Sequence, residues 1–152
     1  MSWRLSATLA MFLALFMCGI LTLLQVNDQK RSPPVMADGP KAFSGTLVIK
    51  DIRDITVAAN HVILCGATFT KPAQMTALVS EAASDRFPPQ MVTCKPVGLG
   101  TPCDGLVASR LNNFIVAQCF TKDGADLAEQ LISQGILCGQ PDQSGGHYKP
   151  CP

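Results

Sequence analysis

Cysteine is the residue type with the most chemistry to offer in this chain, and six of the seven, Cys65, Cys94, Cys103, Cys119, Cys138 and Cys151, lie beyond a single apolar stretch near the N-terminus. An even set of cysteines in a small domain behind a membrane signal points to disulfides, and so to an oxidising compartment. No CxxC pair occurs, which leaves a thioredoxin-type redox centre without support. Cys138, His147 and Cys151, with Cys103 as a fourth ligand, suggest zinc by residue type. Their spacing matches no common zinc module, and oxidised cysteines do not bind metal, so the sequence predicts stapling with no metal and no cofactor. Asp51, Arg53 and Asp54 form a small charge cluster that reads as solvated or structural. His61, beside a turn, reads as solvated or packed. There is no Ser–His–Asp arrangement and no phosphate-cradling glycine loop.

The elements that must position these residues begin with the apolar stretch. Leu5 to Val26 carries no charge and is long enough to cross a bilayer as one helix. It is longer than a usual signal-peptide core, and the best cleavage candidate, Val35-Met36-Ala37, lies well past its end. Residues 1–26 therefore read as a retained transmembrane anchor, with a secreted product after signal cleavage as the alternative. Cys18 reads as a small apolar residue within the span. Arg4 before the span and Lys30 and Arg31 after it leave orientation ambiguous. The cysteines place the C-terminal part outside the cytoplasm; the localisation expected is a single-pass anchor in a bacterial inner membrane with the domain in the periplasm. Residues 27–43, polar and containing Pro33, Pro34 and Pro40, read as a linker.

Beyond the linker, basic and acidic side chains nearly cancel and aromatics are few. Neither a phosphate-binding basic face nor a stacking platform is evident, which argues against nucleic acid as a partner. Thr46–Lys50, Ile52–Val57 and His61–Cys65 are short β-branched runs that read as a meander. Asn60 supplies the left-handed residue of the second turn. A helix follows, capped by Thr70 with Pro72 in its first turn, burying Met75, Leu78, Val79 and Ala82, and ending before Pro88-Pro89. Gln90–Lys95 and Asn113–Phe120 read as two more strands, joined by a long loop from Pro96 to Asn112. A second helix runs from Asp126, its cap, to Gln134, buries Leu127, Leu131 and Ile132, and stops at Gly135. Residues 139–152 read as an irregular, disulfide-tied tail. The order βββαββα suits an α+β, β-rich fold built on a five-stranded OB-type barrel spanning residues 44–138.

From Ser44 to Leu137 the chain resembles the thermonuclease family, the staphylococcal-nuclease-like domains. The resemblance is strongest in VAQCFTKDGADLAEQLISQGIL, Val116 to Leu137, where Asp123-Gly124, Asp126-Leu127, Leu131-Ile132 and Gly135 follow the family's order. Cys94 and Cys119 are similar to a cysteine pair that flanks the active loop in envelope members. On that resemblance they bridge neighbouring strands. The other four cysteines then form two bridges in one of three pairings; Cys138 with Cys151 would pin the tail, and Cys65 with Cys103 would tie the third strand to the long loop.

The resemblance also implies where catalysis would lie and how far this chain departs from it. Family members bind calcium through carboxylates, activate water with a Glu and hold the phosphate with two Arg. Here Arg53 stands at the first key Asp position, between Asp51 and Asp54. Ile63 replaces the first Arg, Thr68 the second Asp, and Phe114 the second Arg. No Glu follows Thr68 until Glu81. Arg110, four residues before Phe114, is the one nearby residual charge. With metal and charge complementarity lost together, phosphodiester cleavage is not expected. The sequence reading is therefore a membrane-anchored nuclease-like domain that has lost catalysis and serves in binding or scaffolding within the envelope. Its partner would meet the barrel face or the 96–112 loop. One alternative is a residual calcium-dependent phosphodiesterase using Asp51, Asp54 and Arg110. The other is a small-ligand or oligosaccharide binder.

Overall fold

The computed structural model describes residues 41–151. The proposed span at 5–26, Cys18 and the linker as far as residue 40 lie outside them. Among the described residues no helix is long and apolar enough to cross a membrane.

Three strands, β1 (Phe43–Asp51), β2 (Asp54–Val57) and β3 (Asn60–Leu64), form an antiparallel meander in which Leu47 faces Val57 and Ile55 faces Val62. Alternation sets which side is buried: Leu47, Ile49, Ile55, Val57, Val62 and Leu64 all point into the core. The β2–β3 turn differs from the sequence expectation. Ala58 and Ala59 take the left-handed conformation, at φ 50° and 63°. Asn60 instead begins β3 and braces the turn, its side-chain amide donating to the carbonyls of Val57 and Ala58. Gly45 makes room for this turn, because a Cβ there would lie 2.3 Å from that of Ala58.

A short strand, β4 (Ala67–Thr68), leads through a 3-10 turn at Ala73–Met75 into helix α1 (Thr76–Arg86). The helix starts later and faces differently than its apolar spacing predicts. Met75 and Leu78 are 39% and 63% exposed, and Ala82 is exposed too, while Thr76, Val79, Ser80 and Ala83 are buried. A hydrogen bond fixes this rotation: the Ser80 hydroxyl accepts the Ile52 N–H at 2.9 Å and donates to the Thr76 carbonyl. The N–H of the β1–β2 turn would otherwise be a buried, unpaired donor, a larger cost than exposing one leucine. Thr70 does not cap the helix; its hydroxyl lies 3.4 Å from the Cys138 sulfur.

Strand β5 (Gln90–Pro96) pairs antiparallel with β1. After β6 (Arg110–Leu111), β7 (Phe114–Thr121) pairs antiparallel with β5 and parallel with β3, where Ile63 meets Val116. That parallel pairing closes a five-stranded mixed barrel of OB type. Closure leaves no long barrel edge unpaired. Helix α2 (Leu127–Ser133) follows, capped by Asp126 and ended by Gly135 at φ 67°.

The tail is more ordered than its Gly/Pro composition suggests. β8 (Cys138–Gly139) pairs with β4, α3 (Pro141–Ser144) packs against Gly66, and Tyr148 is buried in the main core. Gly66 permits this twice over: its φ is +64°, and a Cβ would stand 2.5 Å from that of Ser144.

Candidate binding site at the mouth of the barrel

Among the described residues there are three disulfides: Cys65–Cys103, Cys94–Cys119 and Cys138–Cys151. Cys94 and Cys119 sit directly opposite on β5 and β7. Cys65–Cys103 centres a small second core with Val97 and Val116, which holds the long loop against the barrel. The sulfurs considered as zinc ligands are thus all in disulfides, and among the described residues no three His, Cys, Asp or Glu side chains gather into a metal-holding cluster.

The Asp51–Asp54 turn divides two hollows. The Asp51 carboxylate accepts the Arg53 N–H at 2.8 Å and two guanidinium N–H groups, from Nε at 3.2 Å and Nη2 at 3.0 Å. These bonds hold its pKa below the usual carboxylate value and raise that of Arg53. Arg53 is largely and Asp51 partly exposed, so the pair adds little stability. Asp54 instead bonds the His61 ring, which meets Phe114 edge-on at 5.5 Å. The two aspartates face each other across the β1–β2 turn, yet each carboxylate has its own partner.

On one side of the turn, Asp51 and Arg53 border a groove of about 660 Å³ between β1 and α1, with Lys50, Glu81 and Asp85 along it. Thr76 also lines it, and its Oγ1 is a buried oxygen with no hydrogen-bond partner. On the other side, Arg53 borders a smaller hollow of about 210 Å³ at the end of the barrel. Ile52, Ile55, Val62, Leu64 and Leu137 form its buried floor. Ile63, Thr68 and Phe69, all partly exposed, make its rim. Arg53 and Thr68 are the polar side chains in this lining, and Thr68 makes no side-chain hydrogen bond to the described residues.

The structure therefore brings Arg53, Ile63 and Thr68 together in one mouth, with Asp51 joined through Arg53. Asp54 and Phe114 meet through His61, outside that mouth. Arg110 is exposed on β6 and lines neither hollow. Ile52, Ile55, Phe69 and Leu137 complete the mouth and were not singled out by sequence. As ordinary apolar residues they signal only a core until the barrel end is seen to be open.

The 96–112 loop is held by Asp104, whose carboxylate accepts the Gly98 and Gly100 N–H groups at 2.7 and 2.8 Å and the Thr101 hydroxyl at 2.6 Å. The Thr101 bond, then the Gly98 bond, lower its pKa to about 2. The contribution of this clasp is present above the unfolded pKa of about 4 and is lost as pH falls through about 2. Asp104→Asn is expected to lower the thermal midpoint near pH 6, with the gap to wild type closing as the pH approaches 2. Melting curves across that range check it; a gap independent of pH contradicts the clasp.

Comparison with known proteins found no matching family model, no matching curated protein and no matching solved structure.

Proposed function

We propose that this chain is a membrane-anchored, periplasmic, nuclease-shaped domain without nuclease activity, serving to bind a partner in the cell envelope. The thermonuclease resemblance from Ser44 to Leu137 supplies the ancestry. One observation carries the loss of catalysis: the mouth that would hold calcium and phosphate is walled by Ile52, Ile55, Ile63, Phe69 and Leu137. It carries one guanidinium, Arg53, two of whose N–H groups go to Asp51, where the family uses two Arg and a carboxylate set. An apolar wall cannot replace the hydration shell of a divalent cation, which takes oxygen ligands. It offers no donors to a transferring phosphoryl group either. A concave apolar mouth with a few polar groups at its rim suits binding instead. The three disulfides support an oxidising compartment, consistent with an anchor in the inner membrane and the domain outside.

The test is incubation of the full chain with single-stranded DNA and calcium. No cleavage above background is expected. Cleavage that disappears in Asp54→Asn would overturn the reading in favour of a residual phosphodiesterase.

A further inference from the structure

We infer that the barrel mouth receives the C-terminal residue of a partner polypeptide, with an aliphatic or aromatic side chain inserted between Ile52, Ile55, Ile63 and Phe69 and the terminal carboxylate on Arg53 and Thr68. This rests on the binding role proposed above and names the chemistry of the partner.

Size comes first. A cavity of about 150 Å³ lined by Leu, Ile and Phe accepts benzene in another protein, while pockets for drug-sized ligands start near 300 Å³. The mouth, at about 210 Å³, falls between. That volume matches one leucine or phenylalanine side chain. Single apolar anchors in such hollows dominate the energetics of protein interfaces.

Charge complementarity comes second. A guanidinium has five N–H donors in a planar fork, and Asp51 takes two of them, one from Nε and one from Nη2. Three remain without an acceptor among the described residues. Asp51 holds the fork in one plane, so a second carboxylate meets a preset donor edge. The Thr68 hydroxyl, with no bond of its own to the described residues, adds a donor on the same rim. An apolar hollow beside a part-used cationic fork matches an α-carboxylate that carries an apolar side chain. An internal peptide segment would leave those donors facing a neutral backbone.

The experiment uses the full chain in lipid nanodiscs with isoleucine methyl groups labelled for NMR. The probes are an N-acetylated pentapeptide ending in leucine, the same peptide amidated at its C-terminus, one ending in glycine, and octanoate. With the leucine peptide, the methyls of Ile52, Ile55 and Ile63 are expected to shift saturably while those of Ile115 and Ile132 do not. Amidation, or Arg53→Gln, is expected to weaken binding about tenfold, the loss of one charge-assisted hydrogen bond. The glycine peptide and the mouth-filling Ile63→Trp variant should give no shift. Equal binding of the amidated peptide, binding unchanged in Arg53→Gln, or silent mouth methyls with the leucine peptide would each overturn the inference. Tighter binding of octanoate than of the peptide would overturn it as well and assign the mouth to an acyl chain. DNA cleavage in the assay above would sink the binding role itself, whatever the peptides do; silent peptides without cleavage sink the present inference alone.

Discussion

Asp126→Ala is expected to destabilise the domain by about 3 kcal/mol, the sum of a lost helix cap and of buried donors left without an acceptor. Asp126 is 8% exposed and joins three parts of the fold. One carboxylate oxygen accepts the Ala128 and Glu129 N–H groups at 2.8 and 3.3 Å, capping α2. The other accepts the Gln118 side-chain amide from β7 at 2.7 Å and the Tyr148 hydroxyl from the tail at 2.8 Å. Removing the carboxylate strands these donors where water has little access. For a domain of ordinary stability, about 5–15 kcal/mol, that is a large fraction. It corresponds to a fall in thermal midpoint of roughly 10–20 °C. Asp126→Asn keeps one acceptor oxygen and should cost less. Tyr148→Phe removes a single bond to a charged acceptor and should cost about 1.5–3 kcal/mol.

The same network sets an alkaline limit. Burial, reinforced by the bond to Asp126, pushes the Tyr148 phenol above its ordinary pKa of 10. Its contribution is complete below pH 10 and is lost progressively above it, because the unfolded chain releases the proton first. Wild type should therefore lose stability above pH 10 faster than Tyr148→Phe. Parallel curves for the two proteins, or an unchanged midpoint in Asp126→Ala, would contradict this account.

Replacing Cys94 and Cys119 together by alanine is expected to cost about 3.5 kcal/mol, the loop-closure value for their separation of 25 residues. The bridge ties β5 to β7, the strand that closes the barrel against β3. Its loss frees the barrel pairing with the largest sequence separation to bridge, since parallel pairing has no local turn to set its register. Removing Cys138 and Cys151, 13 residues apart, should cost less, about 3 kcal/mol by the same relation. Denaturant unfolding of the two double variants checks the order. A larger loss from the tail bridge would contradict it.

Sequence reasoning reached the meander, the helix from Asp126 and the OB-type barrel, because alternating β-branched runs and the Asp126 and Gly135 punctuation report local structure directly. It missed what tertiary contacts decide. The face of α1 is set by Ser80 serving the Ile52 N–H, so Met75 and Leu78, apolar by type, point outward. The left-handed turn falls on Ala58 and Ala59, ordinarily poor residues for it, because Gly45 across the sheet leaves the space. Tyr148 looked like part of an irregular tail, yet its hydroxyl finds Asp126, 22 residues away in sequence. At the candidate site, Arg53, Ile63 and Thr68 were singled out by resemblance. Their apolar companions could not be, since Ile52 and Leu137 carry no mark that separates a mouth from a core.

The most direct test of the central claim, an apolar mouth in place of a metal site, is a calcium titration of the full chain followed through the methyl signals of Ile52, Ile55 and Ile63. The account predicts that millimolar calcium leaves all three unmoved. A saturable shift at these methyls that is lost in Asp51→Asn or Asp54→Asn would contradict it.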